Sequence, residues 1–165
     1  MPITYRINVA RRLVYSSGYG RVVFSDFIAH QDALQADLDF DPAFHQLADL
    51  TDATEGGLSV GEAIQIARRP LFSRESRRAL VAPAPFLFGM GRLVQAYREM
   101  DDSLSQISVF RDLESALAWL GYDTSVMGDS RRRPSEAAVV NAAKSCRDPF
   151  GSHPGAASGS AGGSR

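Results

Sequence analysis

Along this chain the spacing of apolar residues switches repeatedly between a period of two, which suits a half-buried strand, and a period near 3.6, which suits a helix. Ile3–Asn8 (ITYRIN) and Arg12–Ser17 (RLVYSS) alternate as strands. Only a few polar residues part them, so they predict an antiparallel hairpin that ends where Gly18 and Gly20 interrupt the pattern. Ser25 is placed to cap a helix running to about Asp37, with Phe27, Leu34 and Leu38 on one side, and Asp41–Pro42 stops that segment. FHQLADL, from Phe44, reads as the next strand, and Asp49, Thr51, Asp52 and Thr54 as a solvated turn at its end. Ser59 and Glu62 then form an S-x-x-E capping box, in which each side chain satisfies a free backbone amide. The helix it opens directs Val60, Ala63, Ile64 and Ala67 inward and ends at Pro70.

RRALVAP, from Arg77, gives another strand, and FLFGMGRLVQAYREM another helix with Phe86, Met90, Leu93, Val94 and Tyr97 at helical spacing. SQISVF alternates as the last strand. DLESALAWLG closes the pattern as a helix with Asp112 as its cap, Leu113, Ala116, Leu117 and Leu120 on one face, and Gly121 as its stop. The order ββαβαβαβα predicts an α/β fold: an N-terminal antiparallel hairpin, then a mostly parallel five-stranded sheet with four helices packed on it.

The boundary falls after Gly121. Gly, Ser and Pro supply 17 of the 44 residues from 122 to 165, a composition that buries too little apolar surface to offset chain entropy. The sequence thus divides into a domain over 1–121 and a flexible Ser/Gly/Pro-rich tail over 122–165, where only SEAAVVNAAKS has helical character. At 44% apolar residues, the domain has material for a core that needs no metal or disulfide. The single Cys146 has no internal partner, which fits a reducing, cytoplasmic setting. No segment reads as a signal peptide or an integral membrane span. Residues 1–121 carry 12 Lys/Arg against 15 Asp/Glu, a balance that gives no reason to expect nucleic acid as a partner.

Taken together, YRINVARRLV, DLDFDPAFHQLADLTD, SRESRRALVAP, FGMGRLVQAY and VFRDLESALAWLG resemble the STAS-like superfamily of the sporulation anti-anti-sigma factors, in particular a bacterial subgroup of uncharacterised proteins. The resemblance covers residues 1 to about 121 and implies a SpoIIAA-like βα superhelix with strands in nearly sequential order. It implies a non-enzymatic regulatory or binding module acting through a protein partner. In the anti-anti-sigma members, a serine in an Asp-Ser-Ser-Gly-type turn before a helix is phosphorylated and controls docking. The matching place here is LSVGEA, with Ser59 and Gly61 at the helix start and Leu58 where that family has Asp. Ser59 is therefore the candidate phosphorylation site.

The residues themselves allow more than one use. Ser59 caps a helix whatever else it does, and a helix start also presents free N–H groups to an anion. Asp52, Thr54, Ser59, Gly61, Arg77 and Arg78 make up the expected partner or anion-binding set, with the connection from Asp52 to Gly61 as the contact. Arg77 and Arg78 join Arg68, Arg69 and Arg74 in the densest basic cluster of the domain, read first as a solvated face. Gly89 and Gly91 inside a helical pattern call for close backbone approach. Phe86, Phe88 and Met90 exceed one buried stripe, which marks an apolar pocket or interface and makes a small apolar, lipid-like ligand the alternative to a protein partner; homodimerisation is also open. His30 fits a half-buried core position, His45 a strand start. No catalytic motif, cofactor fingerprint or metal-ligand spacing occurs.

Overall fold

The computed structural model describes residues 2–101 and 104–127. The expected order of elements is present: β1 (Ile3–Asn8), β2 (Leu13–Val23), α1 (Phe24–Gln35), β3 (His45–Gly57), α2 (Val60–Arg68), β4 (Arg77–Val81), α3 (Pro85–Glu99), β5 (Gln106–Phe110) and α4 (Leu113–Leu120), with a 3-10 turn at Thr124–Met127. The five strands lie in sequential order, β1 antiparallel to β2 and the rest parallel. This is the α/β architecture that the alternating period implies. Because each strand adds beside the last, crossovers of one hand place α1, α2 and α3 on the same face of the sheet. α4 packs on the other face, where Ala116, Leu117 and Leu120 meet Leu13, Leu47, Ala79 and Val81.

The central strands are longer than their apolar runs. Gly18 and Gly20 do not end β2; the strand runs through both, with register irregularities between Ser17 and Tyr19 and between Gly20 and Arg21. Gly20 takes a positive φ of 62°, which a side chain would strain. At Gly18 a Cβ would fall 2.6 Å from Leu50 Cδ2. The extra length of β2 pairs with β3, so Thr51, Asp52 and Thr54 lie in a strand and not in a turn. β4 pairs with β3 only as far as Asp49↔Val81, which leaves the far half of β3 supported by β2 alone. The expected Asp52–Gly61 loop shrinks to Leu58 and Ser59.

Helix ends follow local chemistry. α1 starts two residues earlier than a Ser25 cap would set it: Val23 is the cap residue, and its N–H donates to Asp26 Oδ2 at 2.9 Å. Leu38 lies beyond α1 and is fully exposed (101%), not on its inner side with the buried Leu34. Ser59 and Glu62 form the expected box, Glu62 N–H donating to Ser59 Oγ and Ser59 N–H to Glu62 Oε2 at 2.7 Å. Val60, however, points outward at 57% exposure, and Ile66 takes the inward place beside Ala63 and Ala67. Asp112 caps α4 and Gly121 ends it at φ 83°. Packing does not stop there. Val126 and Met127 are buried in the α4-side core, six residues beyond the expected boundary. The tail expectations at SEAAVVNAAKS and Cys146 lie outside the described residues.

Candidate functional site

A strand sends alternate side chains to opposite faces, and the register decides which of them become neighbours. Val14 pairs with Gln46 and Ser16 with Ala48, while Gln46 pairs with Arg78, so Ser16, Gln46 and Arg78 all point toward α1, α2 and α3. These are polar side chains on the most covered face of the sheet, where apolar ones are expected. α1 adds His30 and Gln31, 5% and 4% exposed. Among them lies a part-open cavity of about 90 Å³, walled by apolar side chains that include Leu80, Leu87, Met90 and Val94.

The polar residues form one relay whose direction the donors fix as far as Ser16. Arg78 can only donate, and its Nε reaches Gln46 Oε1 at 2.9 Å. The Gln46 amide nitrogen therefore faces Ser16 Oγ, to which it donates at 3.0 Å. Ser16 Oγ also shares a hydrogen bond with His30 Nε2, 3.0 Å away, whose direction follows the tautomer of the imidazole. Burial first, and the charge of Arg78 second, pull the His30 pKa down to about 4, which keeps the ring uncharged near neutrality.

Arg78 itself is half-buried, lies 4.7 Å over the Phe72 ring, and forms no ion pair with a carboxylate among the described residues. Burial, and after it the neighbouring Arg98, lower its pKa to about 9. Gln31 Oε1 is buried with no hydrogen-bond partner. Among the described residues the layer thus holds a cation without a counter-ion and an acceptor without a donor, both lining the same cavity.

Ser16 beside His30 has the spacing of a nucleophile and its base. A base shifted to about 4 is poorly matched to proton abstraction near neutrality, and His30 stacks edge-on against Tyr5 and not against an orienting carboxylate. No cluster of three or more His, Cys, Asp or Glu able to hold a metal occurs among the described residues.

The expected site residues scatter. Asp52 and Thr54 are exposed on the far half of β3, and Ser59 and Gly61 start α2. Arg77 and Arg78, adjacent in sequence, lie on opposite faces: Arg77 covers Trp119 on the α4 side at 5.8 Å, while Arg78 enters the cavity. The basic cluster disperses further, since Arg69 pairs with Asp32 and Arg68 donates to Tyr97 Oη at 2.7 Å. Of the expected apolar set only Met90 lines the cavity; Phe86 is 48% exposed, and Phe88 carries the Arg111 guanidinium 4.0 Å above its ring. Sequence reasoning did not reach Ser16, Gln31 or Gln46. The period of two within RRALV separates Arg77 from Arg78, but only the register aligns Ser16, Gln46 and Arg78 across three strands.

These features define a class: a mostly parallel βα layer with a largely apolar cavity, carrying a few polar groups, between its sheet and crossover helices. No family model and no curated protein matches the chain. Among solved structures, it is similar to an uncharacterised protein of the DUF3478 family with a SpoIIAA-like fold from Shewanella loihica PV-4, determined at 2.25 Å. The match spans 72% of this chain and 93% of that one at 16% identity, with a TM-score of 0.48. No helix among the described residues is long and apolar enough to cross a membrane.

Proposed function

We propose that this domain is a non-enzymatic binding module, a carrier or sensor, whose ligand is a small molecule seated between the sheet and α1–α3. The cavity of about 90 Å³ with its mixed lining carries this reading. Ligand sites are characteristically concave and mostly apolar, with a few placed polar groups. By comparison with a 150 Å³ cavity that holds the six carbons of benzene, this smaller but part-open space suits no more than about six non-hydrogen atoms, so a whole lipid is too large. The protein titrated with 1-propanol and followed by amide NMR should shift signals of Ala48, Leu80 and Gly91 in a saturable way. Shifts confined to surface residues would refute the reading.

A regulatory role through a protein partner is the second reading, and the start of α2 supports it. Ser59 and Val60 are both exposed there, with Asp52 and Thr54 exposed on the strand before it. Treating the protein with lysate and ATP and mapping phosphate by mass spectrometry tests it; an unmodified Ser59 removes the phosphoserine switch.

A further inference from the structure

We propose that the cavity takes a short hydroxy-carboxylate of about three carbons, its carboxylate on the Arg78 guanidinium, its hydroxyl on Gln31 Oε1 and its carbon body against Met90, Leu80 and Val94. This rests on the cavity being a ligand site and adds the chemistry of the ligand. Three observations converge on it.

The first is charge. A cation in a covered layer is normally paired, because removing it from water is costly unless an anion compensates. Arg78 has Gln46 on Nε and the Phe72 ring against its plane, and neither is an anion. The nearest charges that act on it come from Arg98, which is itself committed to Ser105 and to the Ala67 carbonyl. The planar fork of a guanidinium matches a carboxylate in two-point geometry.

The second is the orphan acceptor. Gln31 is 4% exposed, and its Oε1 has no donor in the protein. A buried acceptor without a donor is destabilising, and a ligand hydroxyl supplies what is missing. Charge and acceptor together call for an anion that also carries a donor. The third is size and polarity of the remaining wall. Gly91 lets α3 approach so closely that a Cβ there would lie 2.7 Å from Leu80 Cδ2. The space is thereby kept small, which disfavours a long acyl chain.

Calorimetric titration of the full chain with lactate, propionate, propionamide, 1-propanol and inorganic phosphate tests the proposal. Lactate should bind with a Kd of about 1 mM or tighter, propionate several-fold more weakly, and propionamide weaker than propionate by at least about tenfold. Arg78→Met should abolish the preference of acid over amide, Arg78→Lys should keep it, and Gln31→Leu should erase the difference between lactate and propionate while sparing propionate binding. Propionamide binding as tightly as propionate to the unaltered protein overturns the carboxylate assignment even where Arg78→Met fails to fold. In that outcome continued binding of 1-propanol leaves the cavity reading standing. Binding by none of the five probes removes both. Phosphate binding as tightly as lactate reduces Arg78 to a general anion contact and overturns the proposal.

Discussion

His30 shares a hydrogen bond with Ser16 at Nε2, and burial and the charge of Arg78 oppose protonation of its ring. Its pKa in the fold, about 4, lies below the ordinary 6.5 of the unfolded chain. Above pH 6.5 neither state binds the proton, and the contribution of the neutral ring is intact. Between 6.5 and 4 only the unfolded chain takes it up, so stability falls as pH drops, by about 3 kcal/mol across that window. Urea midpoints for the protein and for His30→Gln should coincide near pH 7.5 and diverge toward pH 4.5, the variant losing less. Parallel pH dependences would show that His30 is not held neutral. Arg98 offers a second residue-level test. Its guanidinium meets the Ala67 carbonyl at the end of α2 and both Ser105 acceptors before β5, three acceptors that nothing else satisfies in the same way. Arg98→Met should destabilise by about 3 kcal/mol in chemical denaturation. Neither role was legible in the sequence. His30 showed only that it falls among Phe27 and Leu34 on one helix side, and nothing in the sequence marked Arg98, because both roles depend on partners more than a helix turn away.

α3 contains a matched pair of glycines with opposite expected signs. Gly89 faces open space, so Gly89→Ala gains helix propensity and should stabilise by about 1 kcal/mol. At Gly91 a Cβ would also fall 3.1 Å from both Val109 methyl carbons, and Gly91→Ala should destabilise by about 1 kcal/mol, overpacking exceeding the helix gain. Melting curves of the two variants decide it, and equal shifts would contradict the tight seating of α3 on β4 and β5. Ser59→Ala at the start of α2 removes an acceptor for Glu62 N–H and should cost about 1 kcal/mol, read as faster amide exchange in the first turn of α2. The elements that the sequence displayed well are those whose signals are local: the capping box at Ser59, the Asp112 cap and the Gly121 stop. The far halves of β2 and β3 were hidden because SGYGRVV and TDATEGG carry turn-like residues. They form strands by pairing with each other at five register positions, from Tyr19↔Asp52 to Val23↔Gly57, a long-range gain that propensity does not contain.

At the scale of the molecule, sequential strand order gathers three crossover helices on one face and leaves α4 alone on the other. The two faces are built differently. The α4 side is continuous hydrocarbon from Leu13 and Leu47 to Leu117 and Met127, whereas the three-helix side divides its core into two clusters around the relay of Ser16, His30, Gln46 and Arg78. A fold that only needed stability would fill that position with apolar side chains, and on the proposed reading the polar break in the pattern marks where binding outweighs packing. The overall order of elements was readable from period changes alone, but the cavity was not, since it arises only when three strands come into register beneath three helices. The most direct test is a crystal structure of the protein grown with lactate. It should show the ligand between Arg78 and Gln31 with its carbon atoms against Met90 and Val94; a cavity closed by side chains, or holding water alone while lactate is in excess, would contradict the account.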